Sequence, residues 1–318
     1  MMYGLKTDWI EDTTPRYYSL DDYEGKVARW CTGCGDHAVL TAVQRVCKDE
    51  QLDPDKTVFV SGIGCSSRFP HYMKTYGFHG LHGRALPVAC GVRSRRPDLN
   101  IFVATGDGDC CSIGTAHWIH AIHYNMNMVV MLFDNNCYGL TKNQTSPTSP
   151  KGAKSNTHPR GAAMDPLNPL QTTLGITNAS FVARTVDWNP PHLFATLQAA
   201  HRHQGLSFVQ IIQRCPHYKV GVFDPLQSDP SQLLLMTHEN GIQLDDSIQK
   251  IFKNQKEHDP SNMDEARELA GDPEGVSIGL FYQNKSADRY DEFTAQGIAT
   301  PRDEKIAALK AELSRYQI

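Results

Sequence analysis

The feature that most constrains the fold is a succession of an apolar run, a polar loop, a helix-forming stretch and a second apolar run. Residues 101–105 (IFVAT) and 128–133 (MVVMLF) are short runs of β-branched and apolar residues, typical of strands buried in a parallel sheet. The stretch between them, residues 112–125, predicts a helix that crosses from one strand to the next. Such a strand–helix–strand unit indicates an α/β fold with a mostly parallel sheet.

The loops after these two strands carry residues suited to Mg²⁺ and a diphosphate. Asp107 lies between Gly106 and Gly108 after the first strand, and Asn135 follows the second. Mg²⁺ prefers hard oxygen ligands, so these two side chains and the main-chain carbonyl of Cys137 can share one ion. The glycines let the backbone approach a diphosphate, and the N-terminus of the following helix favours anions. A Gly-Asp-Gly sequence alone is equally consistent with an ordinary turn.

Four of the nine cysteines lie in loops at the ends of predicted elements. Cys31 and Cys34 form a Cys-x-x-Cys loop before a helix predicted to start near Asp36, Cys65 follows an apolar strand, and Cys215 is predicted to close another. Four such thiolates suit a [4Fe–4S] cluster, and they also suit tetrahedral zinc. Zinc ribbons usually carry two close Cys-x-x-Cys pairs, whereas this chain has one pair and two separate cysteines. Spacing alone leaves both metals open.

Composition and chain ends bear on the cellular setting. The first residues have no apolar signal-peptide core, and no run of about 18 apolar residues is present. We therefore expect a cytoplasmic protein, in which clustered cysteines bind metal more often than they form disulfides. The net charge of −4, without a basic run, argues against nucleic acid as a partner. The other cysteines are predicted to be small buried residues: Cys47, Cys90, Cys110, Cys111 and Cys137.

Several segments together resemble a known family. They are WCTGCGDHAVL (30–40), SGIGCSSRFPHYMKTYGFHGLHGRALPVACG (61–91), GDGD (106–109), DNNCYGLTKNQTSPTSPKG (134–152) and QRCP (213–216). In this order they resemble the β subunit of the 2-oxoacid:ferredoxin oxidoreductases, most closely the 2-oxoglutarate type. The resemblance runs from about residue 20 to residue 225.

The resemblance implies a fold, cofactors and a reaction. The fold is that of the thiamine diphosphate (TPP) enzymes, a diphosphate-binding module with a mostly parallel sheet and helices on both faces. The cofactors are TPP, Mg²⁺ and one [4Fe–4S] cluster, so iron–sulfur displaces zinc. The expected reaction is the reversible, coenzyme A-dependent oxidative decarboxylation of 2-oxoglutarate to succinyl-CoA and CO₂, with electrons passed to ferredoxin. Pyruvate or another 2-oxoacid is the alternative substrate.

The resemblance also assigns residues to these cofactors. The implied cluster ligands are Cys31, Cys34, Cys65 and Cys215, and the implied Mg²⁺ ligands are Asp107, Asn135 and the Cys137 carbonyl. The residues expected around TPP are Gly64, Cys65, Ser66, Gly106, Asp107, Gly108, Asp109, Asn135, Cys137, Tyr138, Gly139, Leu140 and Thr141.

Three further side chains are candidates for catalysis and substrate binding. His82 lies in a glycine-flanked loop within the resembling segment, where it could transfer a proton or contact the diphosphate. Arg68 and Lys142 follow predicted cofactor loops and carry the charge needed to pair with the distal carboxylate of a dicarboxylic substrate. Asn143 stands where the family usually has glycine, which is unfavourable if this position needs a left-handed backbone.

The chain is expected to have two parts and a partner. Residues 1–224 form the cofactor-binding domain, and residues 225–318 form a C-terminal extension that packs on the core or on a partner, with SIGLFYQN (277–284) as one more strand. The carboxylate that activates the aminopyrimidine of TPP belongs, by the resemblance, to a separate module. An α subunit should supply it, in an αβ or (αβ)₂ assembly. The alternatives from other classes are a TPP carboligase or decarboxylase without a cluster, and a structural zinc or electron-transfer protein.

Overall fold

The computed structural model describes residues 16–272, 275–295 and 301–316, and this part of the chain is built around a nine-stranded sheet. The strands are β1 Thr57–Ser61, β2 Tyr76–His79, β3 Asn100–Gly106, β4 Met128–Asp134, β5 Phe181–Val186, β6 Leu206–Ile212, β7 Leu233–Thr237, β8 Asn254–Glu257 and β9 Val276–Gln283. The α-helices are α1 Asp36–Asp49, α2 Ala85–Arg95, α3 Thr115–Tyr124, α4 Pro169–Leu174, α5 Pro190–Arg202, α6 Asp224–Ser228, α7 Asp246–Gln249, α8 Met263–Gly271, α9 Tyr290–Ala295 and α10 Arg302–Ser314.

The sheet is mostly parallel, as the sequence predicts. Its strand order is β2-β1-β3-β4-β6-β5-β9-β7-β8. The first six strands in this order all run parallel. β9 pairs antiparallel with β5, and β7 and β8 run parallel to β9. The predicted boundary at residue 224 falls between β6 and β7, and the residues after it add three strands to the same sheet.

Helices cover both faces of the sheet, because the central strands are buried on both sides. Phe102 and Val103 are neighbours on β3 and belong to two different hydrophobic cores, as the alternation of a strand requires. The core on the side of Val103 includes Trp118 of α3. The core on the side of Phe102 includes Leu197 of α5 and Val43 of α1. This packing of helices on both faces of one sheet confirms the predicted α/β architecture.

Several predicted elements are found and others are shifted. α1 begins at Asp36 as expected, and β9 lies in the predicted SIGLFYQN segment. The crossover helix was predicted from residue 112, but a π-helical turn at Asp109–Ile113 precedes it and α3 begins at Thr115. Cys215 was predicted to close a strand, and this is wrong: β6 ends at Ile212. The chain leaves the sheet because the Arg214 N–H donates to the Asp187 carboxylate (3.2 Å) instead of to a strand.

The C-terminal part combines edge strands with helices of different exposure. Two of its helices, α8 and α10, differ in how much of their surface is covered. Ala266 and Leu269 of α8 belong to the core on the side of Val103, whereas no described residue of α10 is buried. Within the described ranges, no helix is both long and apolar enough to cross a membrane.

Candidate functional site

The carboxyl-terminal ends of β1, β3 and β4 open into one cavity of about 90 Å³. The loops that follow these strands form its wall, together with His82 from the turn before α2. The lining residues are Ile63, Gly64, Cys65, Ser66, His82, Gly106, Asp107, Gly108, Asp109, Phe133, Asn135, Cys137, Tyr138, Gly139, Leu140 and Thr141. All residues predicted to surround TPP are among them. Ile63 and Phe133 were missed because apolar side chains beside a strand end give no functional signal.

Gly108 allows two of these loops to pack closely. A Cβ atom at this position would overlap the Tyr138 ring. The Tyr138 hydroxyl donates a hydrogen bond to the Gly108 carbonyl oxygen (2.9 Å). The backbone conformation of Gly108 is an ordinary helical one, so its glycine is required by space and not by a positive φ. Glycine therefore holds the Gly-Asp-Gly loop against the loop that carries Asn135.

Asp107 is a buried carboxyl that shares one hydroxyl with a second buried carboxyl. It is 2 % exposed, and Asp134 is 5 % exposed. The Thr148 hydroxyl lies 2.7 Å from Asp107 Oδ2 and 2.8 Å from Asp134 Oδ1. A hydroxyl has one proton, so it donates to only one of these oxygens at a time. Burial, and next the charge of Asp134, raise the pKa of Asp107 to about 7.

Behind Asp134 the hydrogen bonds continue to a buried arginine. Gln210 Nε2 donates to Asp134 Oδ2 (2.6 Å), and Gln210 Oε1 accepts from Arg184 Nε (2.9 Å). Burial lowers the pKa of Arg184 to about 10 and raises that of Asp134. One guanidinium does not balance Asp107 and Asp134 together. A divalent cation beside Asp107 would supply the missing charge, so this arrangement fits Mg²⁺.

Asn135 is held by hydrogen bonds to both ends of its amide. Its Nδ2 donates to Gln213 Oε1 (2.8 Å), and its Oδ1 accepts from the Cys137 N–H (3.2 Å). The Cys137 thiol is a second, weak donor to Asn135 Oδ1 (3.6 Å), and a metal ion would take its place at this oxygen. Asp107, Asn135 and Cys137 therefore line one cavity with oxygen donors of the kind that Mg²⁺ prefers.

His82 is oriented by the buried carboxylate of Asp109. His82 Nδ1 is hydrogen-bonded to Asp109 Oδ1, which also accepts from the Gly83 N–H (2.7 Å) and the Ile63 N–H (3.2 Å). Thr105 donates its hydroxyl to the other oxygen, Oδ2 (2.9 Å). Asp109 thus braces three segments of the cavity wall. With the proton on Nδ1, the Nε2 of His82 is an acceptor that can take a proton.

The cysteine-bearing loops lie beside the same cavity. Gly139 lines it, and a Cβ atom there would lie 3.4 Å from Cys65 Sγ and 4.0 Å from Cys215 Sγ. Cys34 Sγ accepts a hydrogen bond from Gln213 Nε2 (3.3 Å). Burial, and next the nearby Asp36, raise the pKa of the Cys65 thiol to about 12. Gly139 therefore lies beside the sulfurs of both Cys65 and Cys215, and a cluster on these thiols would lie next to its backbone.

The Cys-x-x-Cys loop is fastened to the Cys215 loop by its glycines. The Gly35 N–H donates to the Arg214 carbonyl oxygen (3.1 Å), and a Cβ atom on Gly35 would overlap the Asp187 carboxylate. Asp187 in turn pairs with the Arg214 guanidinium (3.0 Å). Cys31 is exposed at the outer side of this group, and Cys34, Cys65 and Cys215 are half-buried.

Zinc and a four-iron cluster make different demands on four thiolates. Within the described ranges, no three His, Cys, Asp or Glu side chains converge closely enough to hold a single ion. Zinc needs four ligands at about 2.0–2.3 Å from one centre. In a four-iron cluster each thiolate binds a different iron, so the sulfurs stay farther apart.

Arg68 and Lys142, the predicted substrate ligands, do not line the cavity. Arg68 donates to the Arg29 carbonyl oxygen (3.1 Å) and lies over the Tyr72 ring. Lys142 is exposed. Lys142 and Asn143 have φ values of +75° and +72°, so the left-handed backbone anticipated at Asn143 is present.

Comparisons with known proteins agree with this geometry. Residues 62–211 match the family model of the thiamine pyrophosphate enzyme C-terminal TPP-binding domain. A 2-oxoacid:ferredoxin oxidoreductase β subunit from Saccharolobus solfataricus is 32% identical over 306 residues, which cover 93% of this chain and 88% of that one. The chain is a member of the 2-oxoacid:ferredoxin oxidoreductase β-subunit family. The matched domain contains Asp107, Asn135 and Cys65, and the other three predicted cluster cysteines flank it.

Two further relatives of this β subunit carry more specific names. The 2-oxoglutarate oxidoreductase subunit KorB of Mycobacterium tuberculosis is 45% identical over 204 residues, or 64% of this chain; the match covers 54% of the length of that protein. A solved 2-oxoglutarate:ferredoxin oxidoreductase from Magnetococcus marinus, with 2-oxoglutarate, coenzyme A and succinyl-CoA bound, matches with a TM-score of 0.78 and 34% identity. That match covers 93% of this chain and 97% of the solved chain.

The shared hydroxyl generates a testable prediction. Thr148→Val removes the donor between Asp107 and Asp134 and leaves two buried carboxyls facing each other. We expect the Mg²⁺ concentration needed for half-maximal TPP binding to rise about tenfold, equivalent to a loss of ~1–2 kcal/mol. Quenching of the protein's fluorescence by added TPP, recorded at several Mg²⁺ concentrations, measures this Mg²⁺ requirement. Thr148→Ser should restore the affinity, and Thr41→Val, at an exposed position, is the control. Unchanged Mg²⁺ dependence in Thr148→Val contradicts the role of this hydroxyl.

Proposed function

We propose that this chain is the β subunit of a 2-oxoglutarate:ferredoxin oxidoreductase. The reaction is the coenzyme A-dependent oxidative decarboxylation of 2-oxoglutarate to succinyl-CoA and CO₂, reversible with a strong reductant. The observation that carries the proposal is that Cys65 and Gly139 belong both to the cavity with Asp107 and to the surroundings of Cys215. The names of the M. tuberculosis and M. marinus relatives support 2-oxoglutarate. The archaeal relatives named only for 2-oxoacids keep pyruvate or another 2-oxoacid as the alternative.

Thiamine diphosphate, when bound, supplies the carbanion and the electron sink that decarboxylation of a 2-oxoacid needs. Asp107, Asn135 and the Cys137 carbonyl would hold its Mg²⁺, and the backbone at Gly106 and Gly108 would lie against the diphosphate. His82, hydrogen-bonded to Asp109 through Nδ1, would accept or return a proton at Nε2.

The four cysteines would hold a [4Fe–4S] cluster that accepts the electrons released on oxidation. Cys65 lies in the cavity wall and Cys31 lies at the protein surface. A cluster on these ligands would therefore connect the cavity to the exterior. This connection favours the oxidoreductase over a cluster-free TPP carboligase, which has no need of cysteines beside its cofactor. It equally disfavours a structural zinc protein, which has no need of a cavity.

The proposal includes an α subunit and a cytoplasmic location. The module that activates the aminopyrimidine of TPP is assigned to the α chain, in an αβ or (αβ)₂ assembly. Residues 225–318 are proposed as an extension that packs on the core and on this partner. The exposure of α10 agrees with a partner contact. Nine free cysteines, several of them exposed or half-buried, agree with a thiol-reducing compartment.

Reconstitution tests the function. Expressed alone, this chain should bind TPP poorly and oxidise no 2-oxoacid, because its site lacks the module that activates TPP. Addition of the α chain should give 2-oxoglutarate- and coenzyme A-dependent reduction of methyl viologen under anaerobic conditions. The same complex with Asp107→Ala should lose this activity and keep its iron. Full activity of the isolated chain contradicts the shared site, and a complex inactive on all 2-oxoacids contradicts the function.

Arg68 and Lys142 remain the candidates for binding the distal carboxylate. Arg68 follows Cys65 by one turn, and Lys142 follows Gly139 in the cavity wall. Both residues are close in sequence to residues that line the cavity, but they lie outside it. The far end of a longer substrate would emerge from the cavity near them. The Arg68 guanidinium offers a planar fork for a carboxylate, and Lys142 offers a point charge.

Substrate preference tests these two residues. Arg68→Ala and Lys142→Ala each remove one charged hydrogen bond, worth roughly 1.5–3 kcal/mol, so kcat/KM for 2-oxoglutarate should fall about 10- to 150-fold. The value for pyruvate should change much less, because pyruvate has no distal carboxylate. Lys56→Ala, which alters an exposed lysine at the opposite end of β1, is the matched control. Equal losses on both substrates would mean that neither side chain binds that carboxylate.

A further inference from the structure

A buried glutamine contacts both of the proposed cofactor sites. Gln213 is 1 % exposed and is the first residue after β6. Its Oε1 accepts a hydrogen bond from Asn135 Nδ2 (2.8 Å), and its Nε2 donates to Cys34 Sγ (3.3 Å). Asn135 is a proposed Mg²⁺ ligand and Cys34 is a proposed cluster ligand. We name Asn135, Gln213 and Cys34 the amide relay, because two hydrogen bonds join the two sites through them.

The neighbours of the amide relay determine which way its amides point. The Cys137 N–H donates to Asn135 Oδ1 (3.2 Å), so Asn135 presents its NH₂ group to Gln213. An NH₂ group needs an acceptor, so the Gln213 oxygen faces Asn135 and the Gln213 NH₂ group faces Cys34. The second N–H of that group donates to the Arg214 carbonyl oxygen (2.5 Å). All donors in the relay therefore point from the Mg²⁺ site toward the cysteine.

The backbone holds Gln213 between the two loops that it joins. The Gln213 N–H donates to the carbonyl oxygen of Asp134, the last residue of β4 (2.9 Å). The next residue, Arg214, accepts from the N–H of Gly35 in the Cys-x-x-Cys loop (3.1 Å). The chain on either side of the glutamine is thus bonded both to the sheet and to the cysteine loop. The length of the amide relay is fixed by these main-chain contacts.

A hydrogen bond to a cluster sulfur changes the reduction potential of the cluster. An N–H group directed at a thiolate stabilises added negative charge, so it favours the reduced state. A cation on Asn135 Oδ1 would draw electron density from that amide and make its N–H groups stronger donors. Hydrogen bonds in a chain polarise one another, so Gln213 would pass this effect on to Cys34 Sγ. The charge in one site would thereby act on the electron affinity of the other.

We propose that Gln213 is a positioning residue that couples the two cofactor sites, so that binding of Mg²⁺ and TPP raises the reduction potential of the cluster. The inference rests on the proposed function, which supplies both cofactors. Coupling between two equilibria is reciprocal, so the reduced complex should bind Mg²⁺ and TPP more tightly than the oxidised complex. The cluster would then accept electrons most readily when the cofactor that releases them is in place.

Anaerobic redox titration of the αβ complex, with and without Mg²⁺ and TPP, tests the amide relay. Gln213→Met keeps a long unbranched side chain and removes the amide. The potential of the cofactor-free complex should fall by about 60 mV, roughly tenfold in the one-electron equilibrium constant. Mg²⁺ and TPP should raise the potential of the unaltered complex by about 30 mV, roughly threefold, and that of Gln213→Met much less. Gln44→Met, which changes a buried glutamine of α1, is the matched control and should behave as the unaltered complex does.

Asn135→Asp tests the other end of the amide relay. This variant keeps an oxygen ligand for Mg²⁺ and replaces the NH₂ group that faces Gln213 by an oxygen. The Gln213 amide should then turn its N–H groups toward position 135 and its oxygen toward Cys34, so the potential should fall here too. TPP affinity is measured in parallel on the oxidised and the dithionite-reduced complex. Reduction should tighten TPP binding about threefold in the unaltered complex and leave it unchanged in Gln213→Met and Asn135→Asp.

The outcomes separate the amide relay from the function on which it rests. An unaltered complex that contains no iron contradicts the proposed function. An iron-replete complex whose potential is the same in Gln213→Met, or does not respond to Mg²⁺ and TPP, overturns the relay and leaves the function standing. If Gln213→Met does not assemble, an unchanged potential in Asn135→Asp overturns the relay. An equal fall in Gln44→Met assigns the effect to packing and also overturns it.

Discussion

Parallel strand pairing at the centre of the sheet is the constraint on which the site depends. Ser61 of β1 pairs with Ala104, Gly106 of β3 pairs with Phe133, and Asp134 of β4 pairs with Ile212. Because these strands share direction and register, their four loops emerge at the same end of the sheet. The Cys65 loop, the Gly-Asp-Gly loop, the Asn135 loop and the Cys215 loop are thereby neighbours. No single loop forms the site, and a slip in any pairing would disperse it.

The loops are fixed in place by buried acidic groups. Asp109 braces the turn before α2 and the loop after β1, and Asp187 ties the Cys-x-x-Cys loop to the Cys215 loop. Asp107 and Asp134 are different, because they share one hydroxyl and lack a full complement of positive charge. Unbalanced buried charge is costly in a folded chain unless a ligand compensates for it. The other acids stabilise the scaffold, whereas the charge of this pair would be balanced by a cation bound beside Asp107.

The strands and most of the cavity wall could be predicted from the sequence, because a local pattern determines them. The apolar runs, the Gly-Asp-Gly loop and the asparagine after β4 predicted the strands and nearly the whole cavity wall, because each signal lies within one strand–loop unit. Thr148 was not predicted as a site residue, because it is 41 residues away in sequence from Asp107, which it contacts. Asp134 was not predicted as a site residue, because it ends an apolar strand and resembles an ordinary turn residue. The polar, fully exposed β8 at the sheet edge has no alternation to reveal it.

The cavity around Asp107 and the four cysteines proposed to bind a cluster adjoin at one end of the sheet. Iron content and visible absorption of the anaerobically purified αβ complex test it most directly, with Cys215→Ser compared with the buried Cys47→Ser. The account predicts a broad band near 400 nm and about four irons per αβ unit in Cys47→Ser. Both should be lost in Cys215→Ser, which should still bind TPP. A Cys215→Ser complex that keeps its iron and its absorption would contradict the account.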